Sequence, residues 1–322
     1  MSCTATCACN EKMINTKTGC VTSRAVEKQP WIVNRTKADG TRNYIDLTTT
    51  LNDAYFSGLM NKVDPLERVF ALPEIKNITD AREKSVMEAA KDGTMYKVRD
   101  GVRKFDGAFF PPFASPQLVS ILQAQQCASP CKYSVDANGT IWGVISADGT
   151  KLYPMRMDAG SIDAVYVNPT DGEVEKVNYS FNLHPSEKDA QVRGLKCSDL
   201  IGDINPLDYT GLMDVTMTVV SISTLQLVVK LKDSFGSALT PEVVKGFLVT
   251  DFTMTESASP YSVWTAFAIT GAGSSFAESP DGTYTLIFPT GTPATTTHHM
   301  KLIPVKTGFD CSTVSSVSII VP

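Results

Sequence analysis

At 322 residues, with 34 acidic and 29 basic side chains and a formal charge of −5, the chain is long enough for about two domains and lacks the basic excess of a phosphate-gripping protein. An apolar content of 43% and a charged content of 20% exclude an intrinsically disordered chain. No run of about 18 apolar residues exists to cross a bilayer as a helix, so no membrane partner is expected.

Residues 1–30 read as a polar arm holding Cys3, Cys7, Cys9 and Cys20. The arm lacks the basic and apolar regions of a secretory signal, so synthesis in a reducing cytoplasm is expected. Its cysteine spacing does not match the paired C-x2-C knuckles of structural zinc sites, and no metal is expected there. The arm is expected to order only on assembly. Cys127 and Cys131 flank Ala-Ser-Pro, which leaves a disulfide between them open, with buried thiols the default in a cytoplasmic product. Cys197 and Cys311 stand alone and are expected to fill core space.

Residues 31–210 read as a β-rich body. A strand at 31–34 is followed by an Asp39-Gly40 turn and a hairpin partner at 44–47. Leu51, Ala54, Tyr55, Leu59 and Met60 recur at helical spacing, with Thr50 or Asn52 near the cap. Pro73 then confines an extended stretch to an edge or a loop. Segments 83–90, 95–99 and 102–105, parted by Asp92-Gly93 and Asp100-Gly101, predict antiparallel strands, with one helix over 79–91 as an equal alternative. Lys97, Arg99, Arg103 and Lys104 form the one basic cluster, and Asp92, Asp100 and Asp106 offset it, as on a solvated hairpin.

Ser115-Pro116 opens a helix with a side-chain cap and a proline at the first helical position, and the helix runs to Cys127. Segments 132–136, 141–146 and 151–157 then form a meander turned by Asn138-Gly139 and Asp148-Gly149. A further strand pair, 161–168 and 173–183, turns at Asp171-Gly172. Residues 188–206 lead to the second domain.

Residues 211–322 carry short β-branched runs at 215–222, 225–231, 247–254, 262–269, 283–288, 299–304 and 314–321. Turn signals separate them at 233–236, 271–273, 280–282 and 291–293. That spacing predicts an immunoglobulin-like sandwich. The expected fold class is therefore mainly β: an antiparallel β-sandwich or barrel body with one flanking helix, plus a C-terminal immunoglobulin-like β-sandwich.

Chemistry is sparse. Of the histidines, His184 ends a strand, and His298 and His299 face opposite sides if extended, which points to surface or interface roles. The carboxylate pairs Asp158/Asp163 and Glu173/Glu175 read as solvated β faces, although a hydrolase would draw on Asp158 or Glu173. No serine elbow, phosphate loop or calcium loop is present. No catalytic, cofactor-binding or metal-ligating residues are expected, and no enzyme. The aromatic run Phe109, Phe110, Phe113 and the segment Val69, Phe70, Leu72 are the candidate subunit-interface residues; the aromatic run has packing inside its own domain as the alternative.

The strands at 94–105, the helix 116–127, the hairpin 133–143 around Asn138-Gly139, Asp158-Ala159-Gly160-Ser161 and the Gly172–Val177 stretch together resemble virion structural proteins of tailed bacteriophages, most of all major tail (tail tube) proteins. That resemblance is architectural and spans most of 31–322. It implies a β-sandwich body forming hexameric rings with itself, contacts with other virion proteins, genomic DNA passing without sequence-specific contact, and an exterior immunoglobulin-like domain. It also implies virion localisation after synthesis in a bacterial cytoplasm. The prolines of 60–78 depart from the pattern and fit an arm to an adjacent ring, or a neck, head-decoration or adaptor protein. A host-surface or glycan-binding module is the alternative of another class.

Overall fold

The computed structural model describes residues 7–9, 20–223, 225–236, 241–257, 265–290, 297–303, 305–312, 314 and 317–320. The chain divides into two units, 1–211 and 212–322. Both are built from mostly antiparallel sheets, so the protein is mainly β: a sandwich body with a flanking helix, and an immunoglobulin-like sandwich after it.

In the first unit an eight-stranded sheet is centred on Pro130–Asp136, which pairs with Glu27–Asn34 on one side and Ile141–Ile145 on the other. All seven residues of Pro130–Asp136 are buried, because both faces of this sheet are covered. One face, with Trp31, Val33, Tyr133 and Val135, packs on helix α1 (Asp53–Met60) through Phe56 and Met60. Asn52 caps α1, its side chain accepting from the Tyr55 amide. The other face meets a four-stranded sheet of Asp163–Val167, Lys176–Asn182, Arg103–Phe109 and Lys76–Arg82, in that order. Helix α2 (Pro116–Ala124) flanks the smaller sheet, capped by Ser115 and burying Leu118 and Leu122. Turns at Asn138-Gly139 and Asp148-Gly149 take positive φ at the glycines, as their sequence requires.

Several expectations are corrected here, and open alternatives are decided. Ile45–Asp46 pairs with Lys151–Tyr153 and not with the 31–34 strand, whose neighbours are Pro130–Asp136 and Phe70–Ala71. The local Asp39-Gly40 turn forms, but long-range pairing buries more apolar surface than extending that hairpin. Segment 79–91 holds strand and no helix, since pairing with Arg103–Phe109 places Ile78 against the core of the smaller sheet. Cys127 and Cys131 are free thiols, the first exposed and the second buried. Cys197 is disulfide-bonded, so it does not fill the core as a lone thiol.

The second unit packs a seven-stranded sheet on a four-stranded one. Val215, Leu227, Val229 and Leu231 of the larger sheet face Phe252, Met254, Met300 and Leu302 of the smaller. The hydroxyl of Tyr284 donates to the Val244 carbonyl and accepts from the Phe247 amide, fixing the 244–247 loop. The strand Gln226–Gly236 runs through the turn expected at 233–236 and pairs there with Pro241–Val243. Ser275–Glu278, an edge strand the sequence pattern did not reveal, pairs with Thr283–Ile287. The turn expected at 291–293 lies outside the described residues.

Candidate functional site

A single backbone irregularity builds the body's most concentrated charge cluster. The register of Glu27–Asn34 against Pro130–Asp136 shifts between Val135 and Asp136, so Glu27 stands opposite Asp136, on the same face as Lys132. Lys132 then donates to both Glu27 oxygens at 3.1 and 2.9 Å, with the two side chains 1% and 2% exposed. Its ammonium also lies over Phe105 and Phe181 of the smaller sheet, 3.9 and 5.0 Å from their ring centroids. Those rings are themselves stacked at 4.7 Å.

The cluster continues outward. Arg24 reaches Asp80 at 3.3 Å and donates to the Ser134 hydroxyl at 3.0 Å. Arg103 grips Asp80 with two hydrogen bonds of 2.6 and 2.8 Å, a fork-to-carboxylate geometry. Arg103 and Arg82 both hold Asp189, and Arg82 also donates to the Gly101 and Glu187 carbonyls. A cleft of about 280 Å³ opens over this cluster, lined by Arg24, Val26, Glu27, Ile78, Asp80 and Arg103.

Paired charges tie the cluster together as a latch. Burial raises the Asp80 carboxyl, but the hydrogen bonds from Arg103 and the charges of Lys132, Arg103 and Arg24 outweigh it, leaving Asp80 below its ordinary value. Burial lowers Lys132, and Glu27 and Asp80 oppose that. Each carboxylate is paired with a cation, which suits a structural tie between sheets.

From the latch the chain runs outward as a two-stranded ribbon. Arg82 and Arg103 end the paired part of the smaller sheet, the Glu83 amide donates to the Val102 carbonyl, and Val86–Ala89 then pairs with Met95–Arg99. A turn closes the tip, with Gly93 at φ 84. Gly101 sits at the base, where a Cβ would meet the Glu83 carbonyl oxygen at 1.8 Å. Every side chain of both ribbon strands is exposed, including Val86 at 42%, Met87 at 47%, Met95 at 56% and Tyr96 at 58%. The register puts Glu88 and Tyr96 on one face, with Val86, and Met87 and Met95 on the other. Apolar groups therefore stand on both faces of an arm extending roughly 20 Å past the sheet.

The residues predicted at the subunit interface divide. Phe109, Val69 and Leu72 are buried in the body's own cores, Phe109 against Tyr179 at 6.1 Å, so they are not available to a neighbour. Phe109 lies in a strand paired with Lys176–Asn182 and points inward, and Val69 and Leu72 flank Phe70–Ala71, held by the Leu59 and Pro30 carbonyls. Phe70 and Phe110 are half-buried, and Phe113 alone is exposed, at 48%. The ribbon instead gathers Val86, Met87, Met95, Tyr96 and Val98, all exposed, on two paired strands. A signal was available: around Asp92-Gly93, apolar residues occupy both alternating positions, which no one-sided surface strand does.

The other singled-out residues are scattered. His298 is fully buried against Phe267 and Phe288, contrary to the surface or interface role expected of it, because the pleat of Thr297–Leu302 turns it inward and His299 outward. His184 contacts the Ser186 hydroxyl. Glu173 pairs with Lys176, and Glu175 accepts from the Tyr166 hydroxyl. Among the described residues no group of three or more His, Cys, Asp or Glu is placed to hold a metal ion, and no helix is long and apolar enough to cross a membrane.

No family model and no curated protein matches the chain. Among solved structures it is similar to surface layer protein SbsC, domains 4–9, at 10% identity and a TM-score of 0.18, over 76% of this chain and 47% of that one. The chain spans about half the length of that structure, and a superposition this weak carries no argument.

Proposed function

We propose that this chain is a structural component of a tailed-bacteriophage virion that assembles with itself into rings or a tube conducting DNA, most like a major tail tube protein, with the C-terminal sandwich as an exterior domain. The observation that carries the reading is the ribbon of Val86–Ala89 and Met95–Arg99. A two-stranded hairpin alone in water is marginally stable at best, and this one exposes apolar side chains on both faces. Such an arm is stabilised when other protein covers it, and a second copy is the partner always present. The inter-sheet latch supports the same reading, because it fixes the arm's base with paired charges and leaves them no reactive task. Negative-stain electron microscopy of the purified full-length protein tests it: rings or tubes are expected, and monodisperse monomers at high concentration would remove it.

A further inference from the structure

The two ends of one strand pair in the body carry opposite charge. At the first end, the 35–44 turn folds back through a Thr36–Arg42 bridge and the Lys37 amide donating to the Thr41 carbonyl. It brings Arg42 over the Tyr153 ring at 4.2 Å, while Lys151 and Lys37 lie 4.5 and 5.8 Å from the Tyr44 ring. The two tyrosines meet edge-on at 6.0 Å. Arg156 adjoins them, its carbonyl accepting from the His184 amide just past the end of Lys176–Asn182. Arg35 belongs to the same group, since Arg42, Arg156 and Arg35 all act on the Glu187 carboxyl.

None of these five cations has a carboxylate within 4.0 Å among the described residues. The acids beside them are fewer: hydrogen bonds from Thr41 and Thr48, then the charges of Lys37 and Lys151, hold Asp39 and Asp46 below the ordinary carboxyl value, so both stay charged among the five cations. Glu187, half-buried, is raised by burial in spite of the arginines. Residues 35, 37, 42 and 44 lie in one short segment and 151, 153 and 156 in another, and only the fold brings the two segments together.

At the other end of the strand pair, about 20 Å away along the strands, the loop from Asp163–Val167 to Lys176–Asn182 exposes Asp171 and Glu173, with Val174 59% exposed between Glu173 and Glu175. Lys176 answers Glu173 at 2.9 Å. Asp171 has no cation within 4.0 Å among the described residues.

We propose that the basic, tyrosine-lined end of one copy docks on the acidic 171–175 loop of a second copy, head to tail. This rests on the self-assembly reading above and names its contact. A contact between two different patches is heterologous, so it propagates into a closed ring or an open stack. Opposite charges set its register and speed encounter, while Val174 supplies an apolar centre against the tyrosines. Nucleic acid fits the patch less well. Tyr44 and Tyr153 already carry the chain's own cations, so neither ring is a free stacking platform, and the chain as a whole is at −5.

The test uses two full-length variants, Lys37→Glu with Arg42→Glu, and Asp171→Lys with Glu173→Lys, followed by sedimentation and electron microscopy alongside the wild-type protein. Each variant alone is expected to self-associate at least roughly tenfold more weakly. An equimolar mixture is expected to recover assembly, because every contact in an alternating stack is complementary again. Circular dichroism of each variant guards against misfolding, and a misfolded pair is replaced by Lys37→Gln with Arg42→Gln, for which a loss steepened by salt is expected. If the wild-type protein never assembles, the self-assembly reading fails and this contact with it. If it assembles and either variant assembles equally well, or the mixture does not recover, only this contact is overturned. Normal assembly by Lys37→Glu with Arg42→Glu, together with loss of wild-type binding to a fluorescent oligothymidine, would hand the patch to nucleic acid and also overturn it.

Discussion

Lys132, on the central strand of the larger sheet, holds its ammonium 3.9 Å from the ring centroid of Phe105, on the smaller sheet. The contact helps join the two layers of the body beside the arm's base, since Phe105 lies in the strand that starts at Arg103, just after Gly101. Glu27 neutralises the ammonium from the same sheet.

Removing one member of that buried pair is expected to be costly and removing both much less so. Lys132→Met leaves Glu27 buried beside Arg24 alone, 3.8 Å away, and should destabilise the body by about 3–5 kcal/mol. Lys132→Met with Glu27→Leu should recover most of that loss. Chemical denaturation followed by tryptophan fluorescence measures both.

The arm should respond in the opposite way. Tyr96→Asp with Met95→Asp changes only exposed side chains, so monomer stability should move by less than about 0.5 kcal/mol. Assembly should be lost in the same variant. Thermal unfolding and electron microscopy on one sample separate the two effects.

Acid should loosen the latch. Asp80 is held below its ordinary carboxyl value of 3.8, burial being outweighed by Arg103, Lys132 and Arg24. A depressed carboxyl contributes stability that is present above pH 3.8 and disappears as the pH falls through the folded value. Asp80→Asn should flatten that part of the stability curve and lower stability at neutral pH. Denaturation midpoints across pH 2–5, in about half-unit steps, give the slope.

The C-terminal sandwich should have its own acid response, at higher pH. Burial lowers His298 below 6.5, and Glu256 opposes this only in part. The folded state therefore binds fewer protons than the unfolded chain, and stability declines as the pH drops below 6.5 through the folded value. His298→Phe should remove that decline, read as amide exchange over Thr297–Leu302.

Thiol reactivity should follow burial. Burial pushes Cys131 up to about 12 and Cys311 up to about 11, whereas Cys127 is exposed. Of these three, only Cys127 should be labelled by maleimide in the native protein, with the other two following after denaturation. Peptide mapping by mass spectrometry assigns the labels.

Local chemistry made much of this fold legible. Ser115-Pro116 marked α2, Asn138-Gly139 and Asp148-Gly149 marked the meander, and the alternation Val177, Tyr179, Phe181 marked an inward face that the structure keeps buried. What could not be read was set by long-range pairing. Nothing near residues 45–46 announces Lys151–Tyr153 as their partner, and a bulge at Val135/Asp136 moves Glu27 onto the face of Lys132 without a local signal. The candidate site was misplaced for the same reason: Phe109, Val69 and Leu72 look like anchors until pairing turns them inward. Meanwhile Val86, Met87, Met95 and Tyr96, less conspicuous in sequence, remain uncovered.

Hydrogen–deuterium exchange of Val86–Ala89 and Met95–Arg99, measured on dilute monomer and on the assembled protein, tests the central claim most directly. Exchange in the assembly is expected to slow by at least roughly tenfold, because another copy covers the ribbon and pairs or shields its amides. Equal exchange rates in the two states would contradict it.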